Sequence, residues 1–259
     1  MDTVPLNPAQ PLRGRRAVVA GASSGIGLST ACLLADTGAV VHALARRADE
    51  LARGGGERVA AGTFVPHAVD ATDQQAVARC MAAVLQDGDI DIAVSSVGLN
   101  IPDRRLADLR AASWDAMLSA NLSSCFYLVS AALPSLRRTR GLAVLIGSAS
   151  ATWPNMSGAA YQASKAGLRG FAQAASYEEH SNGVRFSVIM PGLVDTPHLG
   201  NRATPPSAWA RANSLQPADV AAACLYLATQ PAHVHVPEIV MLPVVLQAPG
   251  ATEIPGAPA

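Results

Sequence analysis

The chain has 259 residues, a formal net charge of zero, half of its residues apolar and 15% charged. That length suits one large α/β domain or two small ones, and the composition excludes wholesale disorder. Balanced charge argues against nucleic acid or an anionic membrane surface as the main partner; without a basic-apolar leader or an unbroken apolar run of spanning length, a cytoplasmic protein with no membrane partner is expected.

The opening residues 1–12 are proline-containing and are expected to form a flexible arm. From 13 to 247, short β-branched runs alternate with alanine-rich stretches. Strands are expected at 15–21, 39–45, 63–69, 91–96, 142–148, 184–190 and 237–242, and helices near 25–36, 73–86, 113–138, 158–181 and 217–229. The alternation predicts a single α/β domain, a doubly wound (Rossmann) parallel sheet of seven strands with helices on both faces. Prolines after 242 argue against a long last strand, and the segment 248–259 reads as a flexible tail. Cys32, Cys80, Cys125 and Cys224 fall in helical stretches without metal or CxxC spacing, and read as buried reduced thiols.

The first strand runs into "GASSGIG", which sets Gly21, Gly25 and Gly27 at a strand-to-helix junction. Glycines there permit a tight turn and close approach of a pyrophosphate to the helix N-terminus; three glycines alone also make an ordinary turn. The second strand ends with Ala45 where an acid would hold an NAD ribose, followed by Arg46 and Arg47. Guanidinium matches a 2′-phosphate, which favours NADP(H) over a merely solvated arginine pair. Asp70, at the end of the third strand, either bonds an adenine amino group or caps the helix beginning near Asp73.

The stretch "YQASK" holds the only lysine of the chain; the other 18 basic residues are arginine. Tyr161 and Lys165 are spaced i, i+4 and share one helix face. A phenol is a poor acid–base group at neutral pH, and an adjacent ammonium lowers its pKa. Ser148, ending the fifth strand, is placed to hold a carbonyl oxygen, with Ser150 as the competing candidate.

Together, "GASSGIG", "DIAVSSVG", "NLSSCF", "GSAS" and "YQASK" resemble, in order and spacing, the short-chain dehydrogenase/reductase family over Gly14 to about Gln247. The resemblance implies Ser148, Tyr161 and Lys165 as catalytic residues and Asn121 as the fourth member that completes a proton relay. It implies a cofactor site of Gly21, Ser23, Ser24, Gly25, Ile26, Gly27, Arg46, Arg47, Asp70, Ala71, Ser96, Gly98, Tyr161, Lys165, Pro191, Gly192, Val194 and Thr196, with no metal. The family's usual Asn-Asn-Ala-Gly is here Ser95-Ser96-Val97-Gly98. The C-terminal part resembles the 3-hydroxy acid dehydrogenase-like branch.

The expected activity is NADP(H)-dependent interconversion of a small-molecule ketone or aldehyde with its alcohol. A non-catalytic NADP-binding sensor or interaction protein on the same fold is the alternative. Substrate walls are expected from 99–105, 151–157 and a mobile lid at 193–215. Trp153, Met156, Leu193, Leu199 and Trp209 suggest an apolar pocket, or tryptophans that only pack their loops; His198 is either a substrate contact or solvated. The resemblance also implies pairing through the two long helices, 113–138 and 158–181, as a homodimer or homotetramer.

Overall fold

The computed structural model describes residues 10–201 and 205–246. Seven strands form one parallel sheet: β1 (Arg16–Ala20), β2 (Val40–Ala45), β3 (Phe64–Ala68), β4 (Ile92–Ser95), β5 (Leu142–Ile146), β6 (Arg185–Pro191) and β7 (Glu238–Met241). Their spatial order is β3-β2-β1-β4-β5-β6-β7. The order reverses between β1 and β4, so a crevice opens beyond their carboxyl ends. The register sets Ala20 between Leu44 and Ser95 at that edge.

Each parallel connection needs a crossover, and helices supply them. On one face lie α1 (Gly25–Asp36), α2 (Ala48–Gly55) and α9 (Pro217–Ala228); Leu34, Leu51 and Leu227 pack there on Ala17, Val19 and Val41. On the other lie α4 (Gln74–Val84), α6 (Ser124–Thr139) and α7 (Ala159–Glu179), where Met81, Leu128 and Leu168 meet Val18, Ala20 and Leu145. Alternate residues of β1 thus feed opposite cores, which is why the strands read as continuous apolar runs. Short helices α3 (Glu57–Ala60), α5 (Ala111–Leu118) and α8 (Ala208–Ala212) complete the inventory.

Several expectations are revised. The stretch 113–138 is observed as one continuous helical run, Ala111–Thr139, with a π-helical turn at Ser119–Ser123 set between α5 and α6. By length and composition alone the whole run Ala111–Thr139 passes for a membrane span. Its apolar residues Cys125, Leu128, Val129 and Leu136 instead fill the core against the sheet. The helices α2, α3 and α8 were not anticipated, because their apolar residues are too few to show a period. Leu12, assigned to the arm, is buried in the core with its N–H on the Thr37 carbonyl at 2.9 Å. Cys125 and Cys224 are buried, and burial pushes their thiols up to about 12; Cys32 and Cys80 are only half-buried. Residues 1–9, most of the expected arm, and 247–259, including the expected tail, lie outside the described residues.

Candidate active site

A cleft of about 740 Å³ runs along the carboxyl edge of the sheet across the β1/β4 switch point. Its floor at one end is the turn from β1 into α1. Gly21 (φ +81°) and Gly25 (φ +54°) hold backbone conformations that side chains resist. A Cβ on Gly21 would lie 2.8 Å from the Ser96 carbonyl, and one on Gly27 would lie 2.2 Å from the carbonyl oxygen of Gly21. Gly21, Ser23, Ser24, Gly25 and Ile26 line the cleft, while Gly27 lies beneath and lets the helix seat against the turn. Ser24 is the N-cap of α1, yet its side chain caps nothing and no acid occupies the first turn. The cradle therefore presents a glycine-walled turn and a positive helix end, a fit for a dinucleotide pyrophosphate.

Beyond the cradle, Arg46 and Arg47 stand exposed at the end of β2 and line the cleft with Asp70 and Ala71. Arg47 is the N-cap of α2 and pairs with Glu50 at 2.6 Å, so its charge is partly answered within the protein. Asp70 does not cap the following helix: Asp73 does, accepting from Gln75 N and Ala76 N. Asp70 instead accepts from Thr72 N and Thr72 Oγ1 at 2.9 and 2.7 Å, and these bonds hold its carboxyl below the usual range.

At the other end α7 delivers Tyr161 and Lys165. Lys165 is 3% exposed, donates to the Ile146 carbonyl at 2.9 Å and lies 5.9 Å from the centre of the Tyr161 ring. Burial lowers its pKa to about 8, with Cys125 pulling weakly the other way; it is still an ammonium at neutral pH. Ser148, N-cap of the short 3₁₀ turn Ala149–Ala151, accepts from Ser150 N at 3.1 Å and faces the cleft. Among the described residues nothing accepts its hydroxyl hydrogen, whereas the Ser150 hydroxyl pairs with Ser157 Oγ at 3.3 Å.

Asn121 is not part of the cleft wall. It sits in the π-helical turn, 1% exposed, where its amide is taken up by the protein. Oδ1 accepts from Leu99 N at 2.6 Å, and Nδ2 donates to the Leu99 carbonyl and to Ser164 Oγ. A Cβ on Gly98 would come within 3.9 Å of both Asn121 Oδ1 and Lys165 Nζ, so Gly98 packs against the two. Ser96, Val97 and Gly98 line the cleft, and so do Pro191 at the end of β6 and Gly192, Val194 and Thr196 after it.

The substrate end departs from the expected apolar pocket. Leu193 and Leu199 line it, but Met156 is 83% exposed and outside the cleft, as is Trp153; Trp209 packs on the cluster of Leu193, Leu199, Ala210 and Leu246. Asn100, Arg104, Ser150, Ser157 and His198 stand there with Leu99. Asn100, Arg104 and Ser157 are not distinguished by the sequence, since nothing in 99–105 or 151–157 says which side chain turns inward. The described part of the expected lid is tied down by the bridge of Val194 with Leu215 and the ion pair of Arg211 with Asp195 at 2.8 Å. Residues 202–204 of that segment lie outside the described residues.

Comparison with known proteins settles the family. A sequence model for short chain dehydrogenases matches residues 15–206. The chain belongs to the short-chain dehydrogenase family. It is 33% identical over 240 residues to an uncharacterized oxidoreductase of Staphylococcus saprophyticus, covering 90% of this chain and 99% of that one. It is 30% identical to serine 3-dehydrogenase of Agrobacterium fabrum, covering 88% and 93%. Among solved structures, a metagenomic short-chain oxidoreductase in complex with NADP is 31% identical with a TM-score of 0.78, covering 90% and 98%. An alcohol dehydrogenase of the archaeon Thermococcus sibiricus, complexed with 5-hydroxy-NADP, is 29% identical with a TM-score of 0.82 over the same shares. The protein is thus a short-chain oxidoreductase with a Rossmann-type fold, of a family that binds nicotinamide cofactors.

Proposed function

We propose that this oxidoreductase is an NADP(H)-dependent carbonyl reductase, converting a ketone or aldehyde to its alcohol, with Ser148, Tyr161 and Lys165 as catalytic residues. The observation that carries the reading is the buried ammonium of Lys165 set beside the Tyr161 ring, in the same cleft as the undonated hydroxyl of Ser148.

The bound dinucleotide supplies a hydride for the carbonyl carbon, and everything else falls to the protein. The cradle of Gly21, Ser23, Ser24, Gly25 and Ile26 would hold the pyrophosphate, and Asp70 and Ala71 the adenine. Arg46 is the better placed donor for a 2′-phosphate, because Glu50 already engages Arg47. The NADP and 5-hydroxy-NADP bound to the two solved relatives accord with that choice. Ser148 Oγ donates to the substrate oxygen and fixes its direction. Tyr161 passes its phenolic proton to the same oxygen, and Lys165 stabilises the phenolate left behind. Asn121 acts as a positioning residue, tying Leu99 and Ser164 around Lys165.

The test is NADPH consumption against a panel of ketones, aldehydes and oxo acids, repeated with NADH and with Tyr161→Phe. Turnover that prefers NADPH and falls at least about a hundredfold in the variant, while NADPH still binds, is expected. Tight NADPH binding with no turnover on any compound would favour the sensor reading. The altered Ser95-Ser96-Val97 segment is the one feature on that side.

A further inference from the structure

Arg104 stands in the cleft with no task in the chemistry above. Its place is built into the fold. Gly158, the N-cap of α7 with φ +91°, packs flush on it: a Cβ there would lie 2.5 Å from the Arg104 carbonyl oxygen and 2.8 Å from its Cβ. The loop after β4 is thereby seated on the start of the helix that carries Tyr161. Arg104 Nε donates to the Ile101 carbonyl at 2.7 Å, which fixes the guanidinium and leaves its two terminal nitrogens as donors. No described carboxylate forms an ion pair with it, although seven other arginines of the described residues are paired. The side chain is half-buried; burial presses its pKa down, and the nearby phenol of Tyr161 acts against that.

Charge around the cleft is one-sided. Among its described lining residues Asp70 is the only carboxylate, and it lies at the adenine end, against Arg46, Arg47, Lys165 and Arg104. In the proposed reaction the 2′-phosphate accounts for Arg46 and the Tyr161 phenolate for Lys165, while Glu50 pairs with Arg47. A partly desolvated guanidinium without a counter-ion is costly, and a carboxylate meeting its planar fork offsets that cost with two parallel hydrogen bonds. The neighbours Asn100 and Ser157 are neutral hydrogen-bonding groups rather than apolar ones.

We propose that Arg104 is a specificity-determining residue that receives a carboxylate carried by the substrate, so that the preferred substrates are oxo acids rather than neutral ketones or aldehydes. This rests on the carbonyl-reductase reading of the same cleft. The test compares 2-, 3- and 4-oxo acids with their methyl esters as substrates, in the wild type and in Arg104→Gln. Calorimetry with 3-hydroxybutyrate and methyl 3-hydroxybutyrate on the NADP-saturated protein is run in parallel.

The expected result is a ten- to hundredfold higher kcat/KM for at least one acid than for its ester, carried by KM and collapsing toward one in Arg104→Gln. Equal turnover of acid and ester by the wild type overturns the inference and leaves the reductase intact. So does a variant in which both fall together with a displaced pH profile, because Arg104 then acts on Tyr161. If nothing turns over, the reductase reading fails, and calorimetry decides for Arg104. Preference for the hydroxy acid, lost in Arg104→Gln, sustains it, and equal affinity for acid and ester overturns it.

Discussion

Lys165 occupies a site where only a slender cation fits. Its ammonium reaches the Ile146 carbonyl from within the core, 3% exposed and packed against Cys125 and Gly98. A guanidinium would bring a planar fork and more volume to a place with one carbonyl acceptor, which is a physical reason for lysine in a chain that otherwise uses arginine. Arg46 is the converse case, exposed and with room for a second charge. Replacing it with alanine is expected to weaken NADPH binding ten- to a hundredfold, about 1.5–3 kcal/mol, and to leave NADH binding nearly unchanged. Isothermal titration with the two cofactors checks this, and equal losses for both would move the 2′-phosphate site elsewhere. That Tyr161, Lys165 and Gly21 share one cleft was legible in the sequence, because chemistry and spacing single them out. Those whose role depends on which way a loop turns were not. Trp153 and Met156 look like pocket walls by type but face out, while Arg104 looks like surface by type but faces in.

At the scale of elements, β2 carries an unusual load. His42 is buried in the middle of the strand, Nε2 on Arg16 at 2.9 Å and Nδ1 on His67 of β3 at 3.0 Å. Burial first, and then the charge of Arg16, lower its pKa to about 4; burial also lowers that of His67. The folded state therefore keeps His42 neutral where the unfolded chain, with its ordinary value of 6.5, takes up a proton. Stability from this source is complete above about pH 6.5 and is lost progressively as pH falls toward 4. Urea unfolding midpoints at pH 7, 6 and 5 should fall more steeply for the wild type than for His42→Gln, and parallel profiles would remove His42 as the cause. The same element scale shows where the sequence was silent. All seven strands follow from apolar, largely β-branched runs, the end of α1 from Gly38, and the bounds of α9 from Pro217 and Pro231. The π-helical turn left no mark in composition, because an extra residue in a helix shifts the phase of a face without changing its character.

For the molecule as a whole, the strand order decides where chemistry happens: six elements bring their carboxyl-end residues to one crevice although the sequence spreads them from Gly21 to Leu199. The opposite side of α7 offers an exposed face. Ala163, Ala166, Gly170, Ala174 and Tyr177 are all exposed and recur at helical spacing, and Phe126 of α6 stands exposed against Phe171. We expect a homodimer or homotetramer paired through this face. A Cβ on Gly170 meets nothing within 4 Å, so Gly170→Arg should fold normally and yet place a bulky charge in the seam. Light scattering on the two proteins should give an oligomer for the wild type and a monomer for the variant; a monomeric wild type would end the proposal.

The lone lysine has a practical corollary. A protease that cleaves only after lysine has a single target in this chain, the bond between Lys165 and Ala166. That bond lies in the middle of α7, with the lysine side chain sealed in the core. Cutting there requires the central helix to open, so the appearance of just two fragments counts unfolded molecules directly. The residue proposed to stabilise the Tyr161 phenolate thus doubles as an internal gauge of how firmly the ligand holds the fold: saturating dinucleotide should slow that one cut in proportion to its affinity.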